Sequence, residues 1–302
     1  REKISELIIL ALPLLGSELI ANSNAFIDIV MASQLPPGSV ATLRYAYRTN
    51  DLPVQIIIIA MSQAIFPYIS KQVLEKDHHG LRDIFSHSVT LLGFITFPII
   101  ALVMLFSTDI VAILYERGAF DAFATRQTAE TLVFYNVGLF FCSYAFINGA
   151  FFLALKDTRP LLYLGCLSLI LNILFNILFM NIFGVKGIAL STSVTLAIIC
   201  TLFYILLRRK LQLLDFTETF YHLLRIFIAA ACMYGVGLLL KQYFGSLQIG
   251  RVLCLALTTL PVVACYVLMA WILRIKEVRL GWQLVEKIFR KISIHCKQAG
   301  GQ

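Results

Sequence analysis

The chain has 302 residues, of which 59% are hydrophobic and 14% carry charge, with 25 Lys and Arg against 17 Asp and Glu. A mean hydropathy of +0.84 is too apolar and too charge-poor for a soluble globular chain of this size, so the chain reads as an integral membrane protein. A nucleic-acid role is a poor use of the net charge of +8, because the bases collect in the connections between apolar runs, where they set topology.

Apolar runs fall near 7–34, 39–70, 84–106, 128–155, 160–183, 186–207, 221–243 and 250–273. Each is long enough to span a hydrocarbon core of about 30 Å. The alternating pattern of an outer-membrane barrel is absent, and backbone hydrogen bonding in lipid then leaves helices as the solution. The expectation is an all-α membrane protein with eight transmembrane helices.

The first run carries Glu18, Asn22, Asn24 and Asp28. Asn24 and Asp28 are one turn apart, and Asp28 lies about 9 Å below the end of the span near Gln34. The second run is the most unusual, because Arg44, Arg48 and Asp51 interrupt a segment otherwise apolar enough to cross. Their spacing puts all three on one helical face. With the helix begun near Ser39, Arg48 and Asp51 lie about 13 to 18 Å deep, near the midplane and beyond snorkelling distance. Ionisable groups at that depth mark a binding site by default, the alternative being an internal Arg–Asp pair that only ties helices together.

Pro13, Pro53, Pro67 and Pro98 interrupt apolar runs and are read as kinks, serving either hinges or simple packing. Residues 107–126 read as a loop with an interfacial turn at 110–114. The fifth run carries Asn172 and Asn176, one turn apart, with Asn176 about 10 Å below the same surface as Asp28. Gly184-Val-Lys-Gly187 makes a tight turn into the sixth run, where Ser191, Thr192 and Ser193 lie about 9 to 12 Å down. One carboxylate with amide and hydroxyl oxygens at a common depth suits a hard monovalent cation such as Na⁺. Ordinary interhelical hydrogen bonding explains the same residues equally well.

Lys and Arg set the orientation. With the amino terminus inside, the cytoplasmic segments hold Lys71, Arg82, Lys156, Arg159, Arg208, Arg209, Lys210 and the basic tail, while the outer loops hold only Arg117, Arg126, Lys186, Lys241 and Arg251. Both termini are therefore expected in the cytoplasm. Residues 276–302 mix bases with Trp282, Leu284, Ile288 and Phe289, the pattern of an amphipathic helix on anionic lipid, or else of a disordered basic tail. The seven cysteines are scattered without a CxxC spacing and behave as small apolar residues. His78 and His79 read as solvated loop residues. No Gly-rich phosphate loop, HExxH or GxSxG is present, so neither a hydrolase nor an ATPase is expected. The chain starts without Met and without a cleavable signal pattern, so residues are expected before Arg1.

These residues carry a resemblance. Leu35-Pro-Pro-Gly-Ser-Val-Ala-Thr-Leu-Arg-Tyr-Ala-Tyr-Arg48, Phe66-Pro-Tyr-Ile-Ser-Lys71, Leu114-Tyr-Glu-Arg-Gly-Ala-Phe-Asp121, Ala154-Leu-Lys-Asp-Thr-Arg-Pro160 and Gly187-Ile-Ala-Leu-Ser-Thr-Ser193, in this order, resemble the carboxy-terminal part of the MurJ/MviN family of lipid II flippases. That family belongs to the multidrug/oligosaccharidyl-lipid/polysaccharide exporter superfamily. The similarity runs from about residue 5 to 210. Family members have about fourteen helices, so the resemblance makes residues 1–208 the second six-helix lobe of a two-lobe transporter, 209–275 two additional helices and 276–302 a cytoplasmic tail.

The resemblance also implies a function: alternating access in the bacterial inner membrane moves lipid II, an undecaprenyl-pyrophosphate-linked disaccharide-pentapeptide, outward without covalent chemistry. An ion gradient or the membrane potential would drive it. Arg48 matches the basic residue of the family's YAxR element and would contact the pyrophosphate, and Asp51 matches the acid three residues on. Arg44 joins them only by sharing their face. A sodium site of some relatives is matched by Asp28, Asn172, Asn176, the Ile188 carbonyl and Thr192. Asn176 stands where a relative with a carboxylate would hold Na⁺ more strongly. The implied partners are lipid II, an amino-terminal lobe and anionic lipids. The alternatives are an exporter of another polyprenyl-linked saccharide or a drug, and a cell-wall scaffold that transports nothing.

Overall fold

A computed structural model of the protein describes residues 16, 19–20, 23–211, 217–245, 251–275 and 277. Ten α-helices follow one another: α1 (Ser23–Ala32), α2 (Ser39–Pro53), α3 (Ile59–Glu75), α4 (His78–Tyr115), α5 (Ala122–Val137), α6 (Leu139–Ala154), α7 (Arg159–Phe183), α8 (Val185–Leu211), α9 (Thr217–Gly245) and α10 (Arg251–Ile272). No strand occurs among the described residues. Among the described residues six helical segments are long and apolar enough to cross a membrane, and the α5–α6 pair, bent by 42°, makes a seventh when taken as one span. The expected first span is described only as the ten-residue α1. Glu18, Asn22, Pro13 and the basic tail lie outside the described residues.

One expectation needs correction. Residues 107–115 are the last turns of α4 rather than a loop, because 110–114 is apolar, Ser107 is buried and Asp109 pairs with Lys241 of the bundle; only 116–121 connects α4 to α5. The described prolines, read as kinks, leave their helices unbroken. Pro67 and Pro98 sit within α3 and α4, and Pro53 is followed by a single π-helical turn, Val54–Ile58, that carries α2 into α3. Proline lacks the N–H that an α-turn needs. Around it Val54 N–H bonds back to the Asp51 carbonyl and Ile59 N–H to the Val54 carbonyl, so the ladder loosens without opening.

Where the ladder does open, a side chain from another helix fills the gap, as kinks in lipid require. At the α5–α6 bend Gly138 N–H bonds to Tyr135 O, and the neighbouring Phe134 carbonyl accepts the Ser193 hydroxyl of α8 at 2.7 Å. A Cβ at Gly138 would come 2.6 Å from Ser193 Oγ, so only glycine allows the approach. In α4 the backbone leaves the helical region at Phe106. There Lys241 of α9 donates to the Leu105 carbonyl at 2.8 Å and to Asp109 at 2.9 Å, with its ammonium 5.4 Å from the Phe106 ring centre. Lys241 was read as an outer-loop base; it is instead the tie between α9 and the bend in α4.

The main core gathers Ile58, Phe85, Leu92, Ile147, Phe151 and Leu207 from α4, α6, α8 and the π-turn. A second core beneath the Ser39 end of α2 joins Leu43, Ala46, Leu132, Tyr135 and Ile188. The third packs α9 and α10 on α4 through Ala101, Ala229, Met233 and Val262. The α7–α8 turn is as tight as the glycines imply. Gly184 alone separates the helices, at φ +62°, and a Cβ on Gly187 would sit 2.1 Å from the Phe179 carbonyl oxygen. Gly187→Ala should therefore lower stability by about 3 kcal/mol, the upper range for overpacking. Gly149→Ala, whose Cβ meets nothing within 4 Å, should leave thermal unfolding in detergent unchanged.

Candidate functional site

Two polar constellations stand out, one buried and one open. The buried one is centred on Asp28 of α1, which is 6% exposed, with Asn172 and Asn176 of α7 and Ser191 of α8 equally enclosed. Asn176 Nδ2 donates to Asp28 Oδ1 at 2.7 Å and lies 3.1 Å from Asn172 Oδ1. Thr192 Oγ1 donates to Asp28 Oδ2 at 3.2 Å and also lies 3.2 Å from the Ile188 carbonyl. Ser191 donates to Asn176 Oδ1 and is 2.9 Å from Ile188 O. The tight α7–α8 turn sets the register that brings Asn176 level with Ser191 and Thr192.

The common depth of Asp28, Asn172, Asn176, Ile188 and Thr192 in the sequence is thus actual adjacency. Two neighbours drop out. Ser193 points to the α5–α6 bend, and Asn24 donates to Ser168 of α7 at 3.2 Å, one turn away from the cluster. Ser191 joins instead, holding the Asn176 amide from its far side. With Ser191 the set offers one carboxylate, four neutral side-chain oxygens and a carbonyl, the chemistry of a hard monovalent cation. It also stands closed without one, because the Asn176 NH₂ bridges the Asp28 and Asn172 oxygens.

The open constellation is α2. One face, with Thr42, Leu43, Ala46 and Thr49, is buried. On the other Arg44 and Arg48 are exposed and Asp51 is half-buried. Among the described residues neither arginine lies within ion-pair range of a carboxylate. Asp51 accepts from Gln55 Nε2 at 3.2 Å and does not pair with Arg48. Among the described residues Arg48 and Asp51 do not form an internal pair, and no described helix covers this face. Tyr47 and Tyr45 flank the stripe, Tyr47 against Tyr135 of α5 at 5.8 Å and Tyr45 against Tyr115 at 4.7 Å. Neither tyrosine was singled out from the sequence, although Tyr-Ala-Tyr at 45–47 set beside the arginines was the available signal.

A third feature left no periodic trace in the sequence. A cavity of about 770 Å³ opens between α4, α6, α8 and α9, walled by Phe97, Phe140, Tyr144, Tyr204, Leu223 and Phe227 and almost wholly apolar.

The described residues form an all-helical, multi-pass membrane protein with a buried oxygen cluster and an open cationic stripe. The comparisons narrow this further. The family model for lipid II flippase MurJ matches residues 1–259, and the chain belongs to that family. It is 25% identical over 217 residues to a probable lipid II flippase MurJ of Borreliella burgdorferi, covering 72% of this chain and 43% of that protein. It is 29% identical over 259 residues to one of Thermotoga maritima, covering 85% and 51%. The chain thus spans about half the length of the curated relatives it matches. Among solved structures, a lipid II flippase MurJ in an inward closed conformation shares the fold with a TM-score of 0.72 at 23% identity, over 90% of this chain and 55% of that one. An outward-facing multidrug resistance MATE transporter follows at 0.58 and 16%, over 90% and 66%.

The buried cluster makes a stability prediction. Removing the amide in Asn176→Ala leaves Asp28 Oδ1 without its nearest donor and should cost roughly 1.5 to 3 kcal/mol, the range for hydrogen bonds to charged groups. In the Asp28→Ala, Asn176→Ala double variant the loss should be well under the sum of the single losses, since the two share one interaction. Additive shifts in thermal unfolding would show that the contact contributes nothing.

Proposed function

We propose that this chain forms the carboxy-terminal part of a transporter that flips lipid II from the inner to the outer leaflet of the bacterial cytoplasmic membrane by alternating access. The carrying observation is the uncovered stripe of Arg44, Arg48 and Asp51 on a helix whose other face is packed. A guanidinium stays charged at depth and matches phosphate oxygens bidentately, so Arg48 is assigned to the pyrophosphate. Asp51, held by Gln55, is free to compete for Arg48 when the substrate leaves. Arg44 lies one turn away on the same face and adds positive potential. An amino-terminal lobe would close the stripe into a cavity, with residues 1–208 as the facing six-helix lobe.

The apolar cavity between α4 and α9 supports a lipid-linked substrate, since it offers room for part of a prenyl chain while the headgroup meets the arginines. The additional helices, 209–275, would then serve as one wall of the tail's path. Both chain ends are assigned to the cytoplasm on the distribution of Lys and Arg, with the tail on anionic lipid. No step needs a nucleophile or a cofactor, and the chain is read as a carrier rather than an enzyme.

The Asp28 cluster is assigned to Na⁺, with Asp28, Asn172, Asn176, Thr192 and the Ile188 carbonyl as ligands. Binding requires the Asn176 amide to turn its oxygen toward Asp28, after which Nδ2 faces Ser191 and that hydroxyl donates to Ile188 O. The neutral amide leaves the site one negative charge, enough to neutralise one cation and no more. Millimolar Na⁺, against a K⁺ control, should raise the melting temperature modestly, and Asn176→Asp should enlarge the rise by adding a second anionic ligand. No sodium effect on either form would remove the cation site.

Reconstitution tests the transport reading. The complete protein should move labelled lipid II across vesicles. Arg48→Ala should abolish this, and Arg48→Lys should restore only part, because a point charge replaces a bidentate fork. An active Ala variant would refute the pyrophosphate assignment, and transport of a different polyprenyl-linked sugar alone would move the function to a related exporter.

A further inference from the structure

We propose that the ring cluster of Tyr45, Tyr115 and Phe120 is a saccharide subsite, on which the sugar next to the pyrophosphate stacks while Arg48 holds the phosphates. The inference rests on the lipid-linked saccharide reading above and assigns a part of the headgroup that the arginines leave unrecognised.

The geometry starts from α2. Tyr45 precedes Arg48 by three residues, which sets it about 4.5 Å along the helix toward Ser39 and about 60° around it. It thus borders the stripe on the same open arc. A sugar bonded directly to a pyrophosphate must lie one ring away from the phosphate oxygens, and Tyr45 is the aromatic residue at that offset toward Ser39. Tyr47 lies on the opposite flank of the stripe.

The cluster is pre-organised. The Tyr45 ring centre lies 4.7 Å from that of Tyr115 and 5.2 Å from that of Phe120, and the last two are 6.0 Å apart. Thr49 Oγ1 donates to the Tyr45 carbonyl at 2.9 Å, so its contact with the Tyr115 hydroxyl at 3.1 Å is one in which Tyr115 donates. That bond pins the end of α4 to α2. Residues 116–121 then fold back and bring Phe120 against the same ring. Packed on two sides, Tyr45 still keeps 39% of its surface exposed. A rigid, half-open aromatic surface loses little side-chain entropy on binding.

The chemistry matches a pyranose. One face of such a sugar presents axial C–H groups, which pack on the negative face of an aromatic ring through dispersion and weak electrostatics. Arg48 offers nothing to that face.

The test compares two lipids on the complete protein in nanodiscs: lipid II, and undecaprenyl pyrophosphate, which shares the tail and the phosphates but has no sugar. Tyr45→Leu keeps apolar bulk against Tyr115 and Phe120 while removing the ring face. It should weaken lipid II about tenfold, or about 1.4 kcal/mol, and leave undecaprenyl pyrophosphate within twofold. Tyr45→Phe and Tyr45→Trp should bind lipid II close to the parent level. Equal loss of both lipids, or loss of neither, overturns the subsite. Arg48→Ala should weaken both lipids alike; if it weakens neither, the pyrophosphate assignment fails, and the subsite is judged on the Tyr45→Leu ratio alone.

Discussion

Within hydrocarbon a polar atom has no water to bond, so each one that the fold places at depth must be answered by another part of the protein. The packing of this chain follows from that requirement at three places. The Asp28 carboxylate is answered by Asn176 and Thr192, which locks α1 onto the α7–α8 pair. The Phe134 carbonyl at the α5–α6 bend is answered by Ser193. The Leu105 carbonyl beside the irregular Phe106 is answered by Lys241, which fastens α9 to α4. In each case the polar contact fixes the register, and apolar side chains fill the space around it.

The stripe on α2 is the exception among the described residues. Arg44 and Arg48 are not answered by any described carboxylate, and Asp51 takes only a neutral amide. Ionisable residues inside a membrane span are a functional-site hypothesis by default. The stripe is held in place from behind, through Thr49 and Tyr115 on one side and Tyr47 and Tyr135 on the other. Tyr135 belongs to the same core as Ile188, whose carbonyl borders the Asp28 cluster. Contiguous packed side chains therefore join that cluster to α2.

Much of this architecture was legible beforehand. Apolar runs located the long helices, because length and hydropathy alone decide what can cross a bilayer. Asn172, Asn176 and Thr192 could be set level with Asp28 by counting rise per residue. Other features resisted such counting. Residues 107–115 looked like a loop because Ser107 and Asp109 are polar, and only the packing of α9 against α4 shows why a helix tolerates Asp109 there. Ser193 and Ser191 share the same depth, yet one serves a bend and the other the Asp28 cluster, since a helix turns by about 100° per residue. The prolines read as kinks, but only packing shows that the helix at Pro53 absorbs the missing donor by shifting to a π-turn.

From its sequence alone the protein is a multi-pass helical membrane protein with a charged face at mid-depth and a ladder of oxygens at one level, because these depend only on composition, period and rise along a single chain. Adjacency across helices was decided by tertiary structure: that Asn176 closes over Asp28, that Lys241 caps a bend, that Arg48 and Asp51 do not pair, and that Tyr45 stands between two other rings. The reason is geometric. Depth is a one-dimensional coordinate that a sequence carries, while the rotation of each helix about its axis and the choice of its neighbours arise only when all the faces pack at once.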